Sequence, residues 1–246
     1  MATALYTDLS RYYDLMCSDI NYREQSQHVY RLHQLLGNKG DTYLDLACGT
    51  GPHIQHFVEF GYNSHGVDIN QPMLDLAQER CPEAQFFQQD MAALSVETPL
   101  DLISCFLYSI HYNPTLEQLQ QCIARVHAAL KPGGMFCFNA VDKNLIDNRP
   151  GIKRYLSQGD SEFYFQSNWF YPGSGDSQAL QLSIEKTTQG KTELWRDQHP
   201  MVALDFVQMR ALLAPYFDVH IFEHDYGSIQ PWNQQSGNAI FVGLKI

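Results

Sequence analysis

The sequence predicts an α/β fold: a doubly wound, mostly parallel sheet of seven strands with an antiparallel β insertion after the fifth. Three observations carry this expectation. Apolar runs alternate with helix-patterned segments from residue 22 to residue 140, the signature of parallel strands joined by right-handed crossovers. The first run ends in the glycine-rich turn Leu44-Asp45-Leu46-Ala47-Cys48-Gly49-Thr50-Gly51 and passes directly into an amphipathic segment. After Asp142 the periodicity changes from helical to alternating.

The elements follow in order. Val29, Leu32, Leu35 and Leu36 recur at helical spacing and stop at Gly37, which predicts a helix over 22–36. The first strand is expected at Tyr43–Ala47, with a helix from Pro52 to Phe60 ended by Gly61. A second strand reads at Ser64–Ile69, and a helix at Pro72–Arg80 has Asn70 as its cap and Pro82 beyond its end. A third strand is expected near Ala84–Gln88. Leu100–Leu107 is a nearly continuous apolar run, as a buried parallel strand should be. Leu116–Leu130 is helical, Lys131-Pro132-Gly133-Gly134 breaks it, and Met135–Ala140 forms the fifth strand. Within 150–203, alternating segments fall at Glu162–Trp169, Ala179–Thr187 and Thr192–Ala203. A helix at Asp205–Leu213 and strands at Phe217–His224 and Ala239–Lys245 complete the chain.

Length and composition bound the function. At 246 residues the chain fits one domain, 1–246, with 150–203 as an insertion or lid. No apolar stretch approaches the roughly 20 residues of a membrane span, and the first ten residues lack a basic segment followed by an apolar one. A cytoplasmic protein without membrane contact is expected. The six cysteines are dispersed with no C-x-x-C pair and read as reduced. His53 and His56 are the closest histidine pair, but no further ligand is grouped with them, so no metal is expected. A net charge of −11 disfavours nucleic acid, leaving small molecules as partners and room for a homodimer.

The glycine turn decides between cofactors. Ile54 occupies the position where G-x-G-x-x-G needs its last glycine, which weakens the dinucleotide reading. No Gly-Lys-Ser/Thr follows, so no triphosphate cradle is present. What remains is acidic-x-small-x-Gly-x-Gly, filled by Asp45, Ala47, Gly49 and Gly51. Asp68 ends the next strand, where a carboxylate can accept both hydroxyls of a ribose, the role of the acidic residue roughly 20 residues beyond a Rossmann turn. A nucleoside-containing ligand fits; the position does not separate NAD from other adenosine cofactors.

Together with Gln89-Asp90-Met91 after the third strand and Leu130-Lys131-Pro132-Gly133-Gly134 before the fifth, this turn resembles the motif set of class I S-adenosylmethionine (SAM) dependent methyltransferases. The resemblance implies their Rossmann-like fold and SAM as cofactor. It implies that Asp45 helps hold the cationic methionine end, that Gly49 and Gly51 admit the cofactor to the backbone, that Asp90 reads adenine and that Met91 lies against its ring. It also places Ala47, His53, Ile69, Met73 and Phe106 along the cofactor.

The segment Ala47–His53, the loop Cys105-Phe106-Leu107-Tyr108-Ser109-Ile110-His111-Tyr112 and the N-terminal Tyr12-Tyr13-Asp14 are similar to small-molecule members that include amino-sugar N,N-dimethyltransferases. Met16 stands where their tyrosine motif ends in tyrosine, and His111 where they carry glycine. The resemblance implies that Tyr13 closes over the cofactor or acceptor. The loop after the fourth strand offers His111 and Tyr112 as candidates to orient the acceptor or take its proton. Phe163, Tyr164, Phe165, Trp169, Phe170, Tyr171, Trp195 and His199 of the insertion, with Trp232, alternate as residues that pack a sheet face do, and a subset of them is a candidate lid over the acceptor. The implied function is methyl transfer to a nitrogen or oxygen of a small molecule; the alternative is a SAM-binding regulatory or partner protein without transferase activity.

Overall fold

The computed structural model describes residues 4–6, 9–149, 151 and 153–246. Seven strands form one sheet in the order β10-β11-β5-β4-β1-β2-β3. They are β1 (Thr42–Leu46), β2 (Asn63–Asp68), β3 (Gln85–Gln88), β4 (Leu100–Cys105), β5 (Leu130–Val141), β10 (Phe217–Glu223) and β11 (Asn238–Lys245). β1 to β5 run parallel, and β11 is antiparallel to both β5 and β10. The order reverses between β1 and β4, and ligands of open α/β sheets bind at the strand C-termini beside such a reversal.

Six helices accompany the sheet: α1 (Tyr13–Met16), α2 (Tyr22–Leu36), α3 (Pro52–Glu59), α4 (Gln71–Arg80), α5 (Leu116–Ala129) and α6 (Phe206–Leu213). Their starts follow capping chemistry. The side chain of Asn21 accepts from Glu24 N, that of Thr115 from Gln118 N, and Asp205 with Gln208 forms a reciprocal capping box. Asn70 stands at the N-cap of α4 but its side chain makes no capping bond, because it donates instead to Asp68. Leu35, expected on the apolar face of α2, is 65 % exposed, while Val29 and Leu32 are buried. One layer of core joins β1, β4 and β5 to α5 and α6, and a second joins the opposite sheet face to α2 and α3.

Between β5 and α6 lies a four-stranded antiparallel sheet of β6 (Lys153–Gln158), β7 (Ser161–Phe170), β8 (Ser177–Thr188) and β9 (Lys191–Val202). β6 escaped the sequence reading because it is a short edge strand with a polar, mostly exposed pattern. The buried face of this sheet, with Phe163, Phe165, Leu182 and Ile184, packs on Leu5 and Leu9 of the N-terminal segment.

Two boundaries moved for local reasons. β4 ends at Cys105, not Leu107, because Leu107 and Tyr108 both take left-handed conformations, φ 53° and 62°. β5 starts at Leu130: its register against β4 jumps from Leu100–Leu130 to Leu102–Met135, so the Lys-Pro-Gly-Gly segment bulges inside the strand.

His111 is corrected by the structure. Its ring is fully buried and both nitrogens are occupied: Nδ1 lies 3.0 Å from Val202 O, and Nε2 accepts from Val141 N at 3.1 Å. It ties the loop after β4 to β5 of the main sheet and β9 of the inserted one, and has no free face for an acceptor. Burial pushes its pKa down to about 4.

Two predictions follow from the packing. At Gly66 in β2 an added Cβ would come within 2.6 Å of Ile54 Cδ1 and Phe86 Cδ1, so Gly66→Val should lower unfolding free energy by about 1–3 kcal/mol in a urea titration. His111→Ala, which opens a cavity and orphans the Val141 N–H while Val202 O keeps its bond from Gln178 Nε2, should cost about 2–4 kcal/mol at neutral pH. Because the folded pKa lies below the unfolded 6.5, the stabilisation from His111 is present above pH 6.5 and lost as pH falls toward 4. The gap between wild type and variant should narrow across that window.

Candidate functional site

A narrow cleft opens at the C-terminal ends of β1 and β4, lined by Tyr13, Tyr22, Asp45, Ala47, Cys48, Pro52, His53, Phe106, Leu107 and Ser109. Its floor is the glycine turn. Ala47, Gly49 and Gly51 all have positive φ, 60°, 54° and 76°, so the chain folds back tightly enough for Pro52 to start α3 at once. A Cβ at Gly51 would approach Ala77 Cβ to 3.2 Å, which explains glycine beside α4.

Asp45 is 2 % exposed. Its Oδ1 accepts from Ser104 Oγ at 2.8 Å, and Ser104 Oγ also bonds the Tyr43 hydroxyl at 2.7 Å. Its Oδ2 lies 3.6 Å from His53 Nδ1, and His53 Nε2 reaches Gln25 Oε1 at 2.9 Å. Strand pairing and α3 thus fix the carboxylate from both sides.

At the end of β2, Asp68 is held by three N–H donors. Oδ2 accepts from Gly49 N at 3.0 Å, and Oδ1 from Asn70 N and Asn70 Nδ2 at 2.9 and 3.1 Å. Burial raises its pKa, and the N–H donors pull the other way. Neither Asp45 nor Asp68 has a lysine or arginine partner among the described residues. Two buried carboxylates without a cation suit a ligand that brings positive charge.

The other expected cofactor residues are spread over different surroundings. Ile69, 58 % exposed, offers an apolar face beside Asp68. Asp90 is exposed at the end of β3, where Oδ1 caps the next turn through Ala92 N, and Met91 packs half-buried against the core. Phe106 lines the cleft with His53, ring centroids 5.6 Å apart. Met73 is 1 % exposed and is not among the residues that line the cleft; it serves the packing of α4.

Tyr13 reaches over the turn: a Cβ at Gly49 would meet its ring at 3.8 Å. Asp14 fastens this segment, accepting from Thr50 Oγ1 at 2.6 Å and pairing with Arg80. Tyr112 does not line the cleft. Its hydroxyl stands 2.6 Å from both Tyr6 OH and His199 Nδ1.

Beyond Ser109, the strained Tyr108 amide is held by Asn139 Oδ1 at 2.9 Å, and its ring meets Trp169 edge-on and stacks on His224. Left-handed non-glycine residues cost about 1–3 kcal/mol each and concentrate at functional sites.

The sequence reading missed Tyr22, Gln25, Ser104 and Tyr6. Tyr22 was detectable as the first residue of the helix preceding β1; its buried hydroxyl has no hydrogen-bond partner among the described residues and borders the cleft. An unpaired buried donor next to a glycine turn and paired carboxylates fits a cofactor that is zwitterionic at one end and a nucleoside at the other. Among the described residues, no group of three His, Cys, Asp or Glu is placed to hold a metal ion, and no helix is long and apolar enough to cross a membrane.

Comparison with known proteins agrees with this geometry. Residues 44–134 match the family model "Methyltransferase domain". The chain is 30 % identical over 116 residues to dTDP-3-amino-3,4,6-trideoxy-alpha-D-glucopyranose N,N-dimethyltransferase of Streptomyces venezuelae, covering 47 % of this chain and 48 % of that one. It is 28 % identical over 97 residues to a dTDP-4-amino-2,3,4,6-tetradeoxy-D-glucose N,N-dimethyltransferase of Saccharopolyspora spinosa, 39 % of each chain. The chain thus spans about half the length, or less, of these curated relatives. In fold it is similar to Streptomyces venezuelae DesVI, with TM-score 0.82, 21 % identity and 98 % and 99 % of the two chains covered. It is likewise similar to a sugar N-methyltransferase of Streptoalloteichus, with TM-score 0.82, 19 % identity and coverage of 95 % and 92 %. By its glycine turn and the match over residues 44–134 the chain carries a methyltransferase domain, and its overall fold is similar to that of a solved sugar N-methyltransferase.

Proposed function

We propose that this protein transfers a methyl group from SAM to an amine nitrogen of a small-molecule acceptor, with amino sugars as the substrate class. The observation that carries the cofactor side is the pair of buried carboxylates, Asp45 and Asp68, set around the glycine turn without a protein cation. The nitrogen and the sugar are supported by the names of the relatives, which are N,N-dimethyltransferases of amino sugars.

Bound SAM supplies an electrophilic methyl on a sulfonium, so alignment of the nucleophile accounts for much of the rate, up to about 7–11 kcal/mol in favourable systems. The chain's residues divide that task. Asp45, braced by Ser104 and His53, holds positive charge at the methionine end, and the Tyr22 hydroxyl offers a donor to the same end. With SAM bound, Asp68 would hold the ribose hydroxyls, Ile69 and Met91 would flank the base, and Asp90, whose Oδ1 caps the Ala92 N–H, would accept from the adenine amino group. Tyr13 covers the turn and excludes water from the reacting region. Tyr108, Trp169 and His224 form an aromatic wall beyond Ser109 that can hold a cationic amine against a ring face.

Two measurements test this. By titration calorimetry, Asp68→Ala should weaken SAM binding at least about 10-fold, equivalent to about 1.4 kcal/mol, while Tyr22→Phe should weaken it about 3- to 10-fold by losing one hydrogen bond. Unchanged affinity in Asp68→Ala would remove the proposed cofactor site. Mass spectrometry across a panel of amino-sugar acceptors should show a methyl gain; tight SAM binding with no product would favour a regulatory SAM-binding role.

A further inference from the structure

Behind Tyr13, four side chains from three separate parts of the chain form one polar line. Tyr6 comes from the N-terminal segment, Tyr112 from the loop after β4, and His199 and Asp197 from β9. The Tyr6 and Tyr112 hydroxyls are 2.6 Å apart, Tyr112 OH is 2.6 Å from His199 Nδ1, and His199 Nε2 is 3.3 Å from Asp197 Oδ2. His199 is completely buried; its Nε2 and Asp197 Oδ2 face each other at 3.3 Å without forming a hydrogen bond, and neither has another hydrogen-bond partner among the described residues. The ring of Tyr6 packs on Tyr13, centroids 5.7 Å apart, and Tyr13 lines the cleft.

The chemistry of these groups gives the line a direction. An imidazole nitrogen facing a carboxylate carries its hydrogen, because two lone pairs would repel. Nε2 is therefore the protonated nitrogen of a neutral His199, and Nδ1 accepts from the Tyr112 hydroxyl. Tyr112 oxygen then accepts from Tyr6, which leaves the lone pairs of the Tyr6 oxygen as the accepting end of the line, on the residue whose ring packs against Tyr13. Burial lowers the His199 pKa, opposed by Asp197, so the ring is neutral and ready to accept at pH 7. Burial also raises the Tyr6 and Tyr112 phenols, which pass a proton on and do not hold negative charge. Cys17 bears on both phenols, and Asp68 on Tyr6.

The geometry points to Tyr6, Tyr112 and His199 as a proton relay that removes a proton from the acceptor nitrogen, with Asp197 as the positioning residue that sets the imidazole tautomer. The acceptor N–H bond breaks with its electron pair left on nitrogen, and the proton joins the Tyr6 oxygen. The Tyr6 proton moves to Tyr112 and the Tyr112 proton to His199 Nδ1, so one positive charge arrives beside Asp197. This rests on the methyltransferase reading and deepens it. It also gives the inserted sheet a chemical task, since half of the relay is carried by β9.

The test combines kinetics with a measurement independent of turnover. In the SAM-loaded wild type, kcat should fall on the acid side as His199 gains a proton. His199→Gln, which keeps an acceptor atom but cannot take the proton, should lower kcat by about 10²-fold and flatten that limb while leaving the Kd for SAM unchanged. Asp197→Asn should produce a smaller loss with the limb displaced. Nitrogen NMR of His199 in the cofactor-free protein should show the Nε2–H tautomer, replaced in Asp197→Asn by a mixture. A wild-type kcat and acid limb in His199→Gln, or an Nδ1–H tautomer in the wild type, overturns the relay. A merely structural role for His199 would lower thermal stability and raise KM with the acid limb intact. If wild type turns over no amine, the methyltransferase reading fails, and the tautomer still decides whether the line has the stated polarity.

Discussion

The structure of this site hangs on the Asp68 carboxylate. It receives the Gly49 amide from the turn after β1 and both Asn70 N–H groups from the start of α4, so one buried side chain sets the spacing between two strand ends and the helix that follows. Because a buried carboxylate is costly without donors, the glycine turn cannot relax away from β2 without stranding it. The turn in turn fixes the start of α3 and presents Asp45 and the Gly49 backbone to one space. Asp45 is anchored in the same way, by Ser104 from β4 and His53 from α3. The sheet's topological reversal supplies the place, and these two carboxylates give it a charge.

Most of the scaffold was legible because its signals are local. Strand and helix periods and the Gly37, Gly61 and Pro82 stops each act within a few residues. Where the reading slipped, the cause lay elsewhere in the chain. The left-handed pair Leu107–Tyr108, which shortens β4, is held by Asn139 from β5. The bulge at Lys131–Gly134 exists only because β5 pairs with β4 on both sides of it. β6 is polar and takes its strand geometry from β7.

At the site the same division holds. Asp45, Ala47, Gly49, Gly51 and Asp68 announced themselves by spacing, and the structure brings them together. His111 was a sound guess by residue type and loop position, and burial overrules it: both ring nitrogens are spent on Val202 and Val141. Tyr6 and Tyr22 carried no motif. Tyr22 borders the cleft and the Tyr6 hydroxyl meets that of Tyr112, relations between residues far apart in sequence that periodicity does not encode.

The N-terminal segment is gripped at both ends of the molecule. Asp14 binds Thr50 and Arg80 on the main sheet's side, while Arg154 of β6 takes the Met16 carbonyl and pairs with Asp19, and Lys186 of β8 reaches Tyr12. Tyr13 thus sits on a segment whose contacts also seat the inserted sheet, so displacing that segment would loosen both. Several of those contacts are ion pairs at least partly open to solvent, and mobile ions weaken such pairs. The ionic strength of the surroundings thus acts on how firmly this segment is held.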